Sequence, residues 1–172
     1  MKILSLVVAA ALSSTGAPMS AWATPTTPTT QTTQTCPAAT TADIEAQFER
    51  FSEAWTTRDP DVVTALFTDK PVLLPTVSNT PRTTPAGVRD YFVSFLRNHP
   101  VARLDTSTIE IDCHTASRVG TWTVTLTDPA TGQTREVHAR YSFIYRFEDG
   151  AWKIDHLHSS MMPETTPVAA VR

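Results

Sequence analysis

Glycine is scarce in this chain of 172 residues, with five in all. No G-x-x-x-x-G-K and no G-x-G-x-x-G occurs, which excludes a glycine-rich cradle for nucleotide phosphates. Basic charge is not in excess either: 14 Lys and Arg stand against 17 Asp and Glu, a formal net charge of −3. Nucleic-acid binding needs clustered cations to neutralise phosphates, so no nucleic-acid partner is expected. Long apolar runs are missing as well. The longest, within Ile3–Leu12, falls short of the ~20 residues a membrane span requires, so no membrane partner is expected. No motif for nicotinamide, flavin or haem is present, and no cofactor is expected. Cysteine is limited to Cys36 and Cys113.

What is present is ordered along the chain. Lys2, the apolar run after it and Ala21-Trp22-Ala23 have the order of a secretory signal peptide, read here as residues 1–23. Residues 24–41 are rich in Thr and Pro, with nothing to bury, and read as a flexible arm. Residues 42–164 are the folding unit and 165–172 a tail. The expected location is therefore exported, periplasmic or secreted. Export permits a disulfide, and two cysteines admit one intramolecular pairing, Cys36 with Cys113. The alternative is a buried Cys113 beside an exposed Cys36. A bridge would staple the end of the arm onto a strand. Thiol catalysis is not indicated, because neither cysteine opens a helix beside a base.

Ile44, Phe48, Phe51 and Trp55 recur at helical spacing and predict a helix from about Ala42 to Thr57. Asp59-Pro60 and Thr84-Pro85 each place a cap before a proline, predicting two further helices. Between them Pro71–Pro75 reads as a brief strand. Thr108–Cys113, Arg118–Thr127, Glu136–Glu148 and Ala151–Ser160 are rich in β-branched and aromatic residues and read as strands. Asp149-Gly150 is a type I′ hairpin signal. An uninterrupted register from that turn pairs Phe147–Trp152, Tyr145–Ile154, Phe143–His156 and Tyr141–His158 on one face. The other face then carries Arg146–Lys153, Ile144–Asp155, Ser142–Leu157 and Arg140–Ser159. Helices first and an antiparallel meander afterwards predict an α+β domain with helices packed on one sheet face.

Several side chains in this frame can carry chemistry. His156 and His158 alternate on a strand and suit proton transfer or ligand orientation. As an H-x-H pair they lack a third ligand in fixed relation, so no metal is expected. Asp155 is a candidate base if buried, or else an ordinary partner of Lys153 or Arg146. Arg140, set between Ala139 and Tyr141, needs an acidic partner or a carboxylate ligand. Tyr91 and Tyr141 can donate to an anion or fill the core, and Trp55 suits a cavity wall.

The segments Leu73–Thr84 (LLPTVSNTPRTT), Val88–Leu96, Ala139–Ile154 and His156–Ser160 resemble the nuclear transport factor two-like superfamily, SnoaL-like members included. Within it they are most similar to proteins like the association domain of calcium/calmodulin-dependent protein kinase II, in particular exported stand-alone bacterial members with the cysteine pair. The resemblance implies a cone of three helices on a strongly bent antiparallel sheet. It implies a homodimer or higher assembly through the sheet, and a pocket for a small polar or anionic molecule. Arg135 falls on one of the arginine positions that line the pocket in kinase association domains. A second such arginine is replaced by Ser159, with Arg140 on the adjacent strand able to supply the charge. The expected function is an exported binding and self-association module. The alternative is an isomerase, dehydratase or cyclase using His156 or Asp155 as acid or base. In a third reading the chain's own side chains fill the pocket.

Overall fold

A computed structural model describes residues 35–163. The signal peptide expected over residues 1–23, most of the arm and the tail lie outside the described residues. α1 spans Thr41–Thr57. Thr40 caps it reciprocally: its hydroxyl accepts the Asp43 N–H at 3.3 Å, and the Asp43 carboxylate accepts the Thr40 N–H at 2.8 Å. The bond from the Thr40 hydroxyl, with that from its N–H, holds the Asp43 carboxyl below its ordinary pKa. Arg58, left-handed with φ 58°, ends the helix. α2 (Pro60–Thr64) and α3 (Pro85–Phe95) start at Asp59 and Thr84, each followed by its proline at the first helical position. A single 3-10 turn, Leu96–Asn98, closes α3.

The strands are β1 (Phe67–Leu74), β2 (Val101–Ile111), β3 (Thr115–Thr127), β4 (Thr134–Glu148) and β5 (Ala151–Met161). They form one open sheet in the order β1-β5-β4-β3-β2. The last four make the expected antiparallel meander, and β1 adds a parallel edge beside β5. Four strands begin earlier than their composition suggests: β1 at Phe67 rather than Pro71, β2 at Val101 rather than Thr108, β3 at Thr115 rather than Arg118 and β4 at Thr134 rather than Glu136. Neighbouring strands override weak local propensity at such ends. The Asp149-Gly150 turn has φ 52° and 78°, both positive as a type I′ turn requires.

The register from that turn holds only for its first half. Glu148–Ala151, Phe147–Trp152, Arg146–Lys153 and Tyr145–Ile154 pair as expected. Asp155 is then an extra residue, a β-bulge, and Ile144 faces His156. Beyond it the partners are Phe143–Leu157, Ser142–His158, Tyr141–Ser159 and Arg140–Ser160. The expected Phe143–His156 and Tyr141–His158 pairs do not form. A shift of one residue turns every later side chain to the other face. Leu157 and Ser159 therefore face the helices and are buried, while His156 and His158 face outward. Burial drives this choice: an unbroken register would carry Leu157 into water and two imidazoles into an apolar core.

That core lies between the sheet and the buried stripe of α1 and α3. Phe143, fully buried, touches Phe48, Phe51, Trp122, Tyr141 and Tyr145 at ring separations of 5.4–6.3 Å. Arg118 ties α1 to the sheet from a buried position. Its Nε donates to the Ser107 hydroxyl at 2.8 Å and its Nη1 to the Glu45 carbonyl at 3.2 Å. Its guanidinium also lies 5.4 Å from the Phe48 ring centre.

Cys36 and Cys113 form a disulfide. Cys113 sits in the turn between β2 and β3 rather than on a strand, so the bridge fastens the approach to α1 at the sheet's rim. It closes 77 residues of chain, which corresponds to about 4 kcal/mol in the chain-entropy account. Replacing both cysteines by serine is expected to lower the unfolding free energy by about 4 kcal/mol, read as a lower denaturant midpoint, with little change in far-ultraviolet circular dichroism. Equal midpoints for the two proteins would count against this role.

Candidate functional site

The described residues enclose a cavity between the sheet and the helices. Phe51 and Trp55 of α1 and Tyr91, Phe92 and Phe95 of α3 form one wall. Trp122, Val124 and Leu126 of β3, Val137 of β4 and Leu157 of β5 form the other, with Leu73, Pro75, Thr76 and Val77 at the rim. The strand residues arrive there by simple alternation, Trp122, Val124 and Leu126 being every second residue of β3. The cavity is narrow, about 30 Å³, room for about one water molecule. Aromatic rings take up the rest. Trp55 meets Phe51 at 4.9 Å, Phe95 at 5.0 Å and Trp122 at 5.9 Å, and Tyr91 stacks on Phe95 at 5.2 Å.

Its polar groups are few and are mainly donors. The Ser159 hydroxyl oxygen accepts the Trp122 indole N–H at 3.0 Å and the Thr76 hydroxyl. With its oxygen so used, the Ser159 O–H proton is left to donate. The Trp55 indole N–H is buried and has no partner among the described residues. Burial pushes the Tyr91 phenol above its ordinary pKa, a shift that nearby Arg82 opposes. No carboxylate, imidazole or amine lines this cavity among the described residues.

The candidate residues divide accordingly. Trp55 and Tyr91 line the cavity. Tyr141 is buried, but its hydroxyl donates to the Thr106 carbonyl at 2.9 Å and is not available to a ligand. The same carbonyl lies only 2.1 Å from where a Cβ on Gly120 would stand, so that position accepts glycine alone. Arg140 is exposed, its Nη2 donating to the Met161 carbonyl at 3.4 Å. Arg135 is exposed near the start of β4, beside a surface recess shared with His138 and Met161. His156 and His158 occupy the outer face with Val72, Leu74 and Ser142 as strand partners. Partial burial, then the neighbouring His158, lowers the His156 pKa, and Asp155 opposes that shift.

Asp155 accepts both Arg146 Nε at 3.1 Å and Nη2 at 2.7 Å, and the Thr68 hydroxyl at 3.2 Å. The Arg146 bonds hold its carboxyl below the ordinary value, so it is an ionised structural acid and not a raised-pKa base. Sequence reasoning placed Ser159 on the wrong face and passed over Thr76 and Arg82. Those two lie in an irregular polar stretch, where no periodicity marks the inward side chain.

An open sheet wrapped on a three-helix layer, with an apolar hollow between them, defines a cone-shaped α+β class. The SnoaL-like domain profile matches residues 48–154, and the chain belongs to that family within the nuclear transport factor two-like superfamily. A Xanthomonas campestris structure described as a calcium/calmodulin-dependent protein kinase II association domain is 38% identical. The match covers 76% of this chain and 94% of that one, with a TM-score of 0.70. A Novosphingobium aromaticivorans structure described as an aromatic ring hydroxylase is 25% identical, over 71% and 89% of the two chains, with a TM-score of 0.63. A Streptomyces avermitilis structure described as a dehydratase shares the fold at 13% identity, over 71% and 96%, with a TM-score of 0.65. No curated protein matches the chain.

The Asp155–Arg146 pair gives a pH test. Its stabilisation is fully present above the unfolded carboxyl's pKa of 3.8 and is lost as pH falls through the lowered folded value. With the Arg146 side chain 50% exposed, the expected size is at most about 1 kcal/mol. Asp155→Asn is expected to be less stable than the parent at pH 7 and to converge with it near pH 2, as read by urea unfolding. A gap that stays constant with pH would contradict the assignment.

Proposed function

We propose that the chain is an exported, self-associating module that binds a small, slender, largely apolar molecule carrying an oxygen acceptor. The observation that carries this reading is the unpartnered Trp55 indole N–H, buried in the wall of an aromatic cavity. A buried donor calls for an acceptor, and a ligand oxygen that reaches this hollow would supply one. The Ser159 hydroxyl adds a second donor, so a carbonyl, hydroxyl or ether oxygen is complementary. The cavity has room for about one water molecule, so a ligand's oxygen enters it and a larger body follows only where the aromatic side chains of the wall give way.

Enzymatic turnover of the dehydratase or isomerase kind is less well supported. Such chemistry needs an acid or base within hydrogen-bond reach of the substrate, and His156 and Asp155 lie outside the lining. Self-association is supported by the outer sheet face, where Val72, Leu74, Ile144 and the 39%-exposed Val119 lie among small polar residues. Export is supported by the disulfide and by the signal-like leader. No helix among the described residues is long and apolar enough to cross a membrane.

Titration with 1-hexanol, followed by the Trp55 indole signal in nitrogen–proton correlation spectra, tests the binding claim. The signal is expected to move saturably. Trp55→Phe, which keeps the ring and removes the donor, is expected to weaken binding about tenfold. A Trp55 signal that never moves would mean that the cone is closed by its own side chains. Native mass spectrometry showing one subunit mass alone would contradict self-association.

A further inference from the structure

β2 forms one edge of the sheet and has no strand on its far side among the described residues. An edge strand offers a row of unpaired N–H and C=O groups, which proteins blunt by shortness, proline, lysine, a bulge or a cover. β2 runs for 11 residues, and none is lysine or proline. Most of its side chains are exposed, Val101 by 62%. It carries one irregularity, between Leu104 and Thr106, which makes Asp105 an extra residue.

That bulge sorts the side chains. Ala102, Leu104 and Ile109 pack against the core, and the Ser107 hydroxyl accepts the buried Arg118 Nε on the same inner side. Thr106 turns outward with Thr121, their hydroxyls 2.9 Å apart. Alternation then puts Arg103, Thr108 and Glu110 on the outer face. Arg103 is held at the edge by Asp105, 2.6 Å from its Nη1, while its side chain stays 68% exposed.

Two antiparallel strands related by a two-fold axis pair symmetrically about that axis and bring like faces together. With the axis at Ser107 and Asp105 set aside as the bulge, one β2 meets another as Ser107–Ser107, Thr106–Thr108, Leu104–Ile109, Arg103–Glu110 and Ala102–Ile111. Each pair joins residues of one face. Apolar side chains meet apolar ones, and the cation meets the anion twice over by symmetry. Without the bulge the same axis would set Leu104 against Glu110 and Arg103 against Ile111. The extra residue is what makes the edge self-complementary.

We infer that the β2 edge is a docking surface for a second copy of this chain, which joins two five-stranded sheets through antiparallel β2 strands. Main-chain bonds supply the contact and the side-chain pairs set its register. The contact uses the edge of the sheet rather than the outer-face patch of Val72, Leu74, Ile144 and Val119, and does not depend on that patch.

Hydrogen exchange of the full chain over a range of protein concentrations, beside sedimentation velocity, tests this. In the parent, β2 amides are expected to gain protection as concentration rises and dimers form. Glu110→Arg sets arginine against arginine and is expected to weaken the β2 contact about tenfold. Arg103→Glu sets glutamate against glutamate with a similar loss. An equal mixture of the two variants restores the contact, since each arginine then meets a glutamate, and that rescue also shows both to be folded. β2 exchange that ignores concentration, or single variants that pair as tightly as the parent, overturns the edge contact. If dimers persist in that case, self-association through the outer face stands; if monomers alone sediment, both readings fall. β2 amides already protected in a monomer would mean that another segment covers the edge, which overturns a second copy as its occupant.

Discussion

One inserted residue, Asp155, determines what the inside of this protein is made of. Before it, Ile154 packs inward; after it, Leu157 and Ser159 do. Without the bulge that half of β5 would present its two imidazoles to the aromatic core, a placement disfavoured by desolvation. The bulge is itself secured: Asp155 is gripped by Arg146 from β4 and by Thr68 from β1. The cavity therefore has a hydroxyl in its wall where a histidine would otherwise stand, and its chemistry follows from that exchange.

The second constraint is crowding. Trp55, Trp122, Phe51, Phe92 and Phe95 meet within a few ångströms, mostly edge to face, the arrangement that aromatic quadrupoles favour. Such packing stabilises the fold strongly and leaves little free volume. What remains is lined by carbon and by hydrogen-bond donors. Among the described residues no carboxylate or imidazole joins that lining.

Membership of the SnoaL-like family describes a scaffold more than an activity. Relatives that share this fold are described as an association domain, a ring hydroxylase and a dehydratase. One fold hosting such different names is expected when function resides in side chains placed on a common frame. In this chain, among the described residues, the lining carries no carboxylate, imidazole or amine, and the Trp55 indole N–H in its wall has no protein partner.

Much of the frame was determined by the sequence alone. Ile44, Phe48, Phe51 and Trp55 specify α1 because side chains at that spacing share one helix face, and Asp59-Pro60 and Thr84-Pro85 mark helix starts through cap and ring chemistry. Asp149-Gly150 sets the first pairs of the β4–β5 hairpin, since both residues tolerate positive φ. These are local effects, acting over a few residues, and a linear reading captures them. The bulge at Asp155 is different: it is selected by what the helices offer to β5 from far away in the chain, and alternation cannot reveal it. For the same reason only the tertiary structure could move His156 and His158 outside and bring Ser159 and Thr76 together across 83 residues. Long-range burial decides which face of a strand is inside, and here that decision puts Leu157 and Ser159, not the two imidazoles, in the cavity wall.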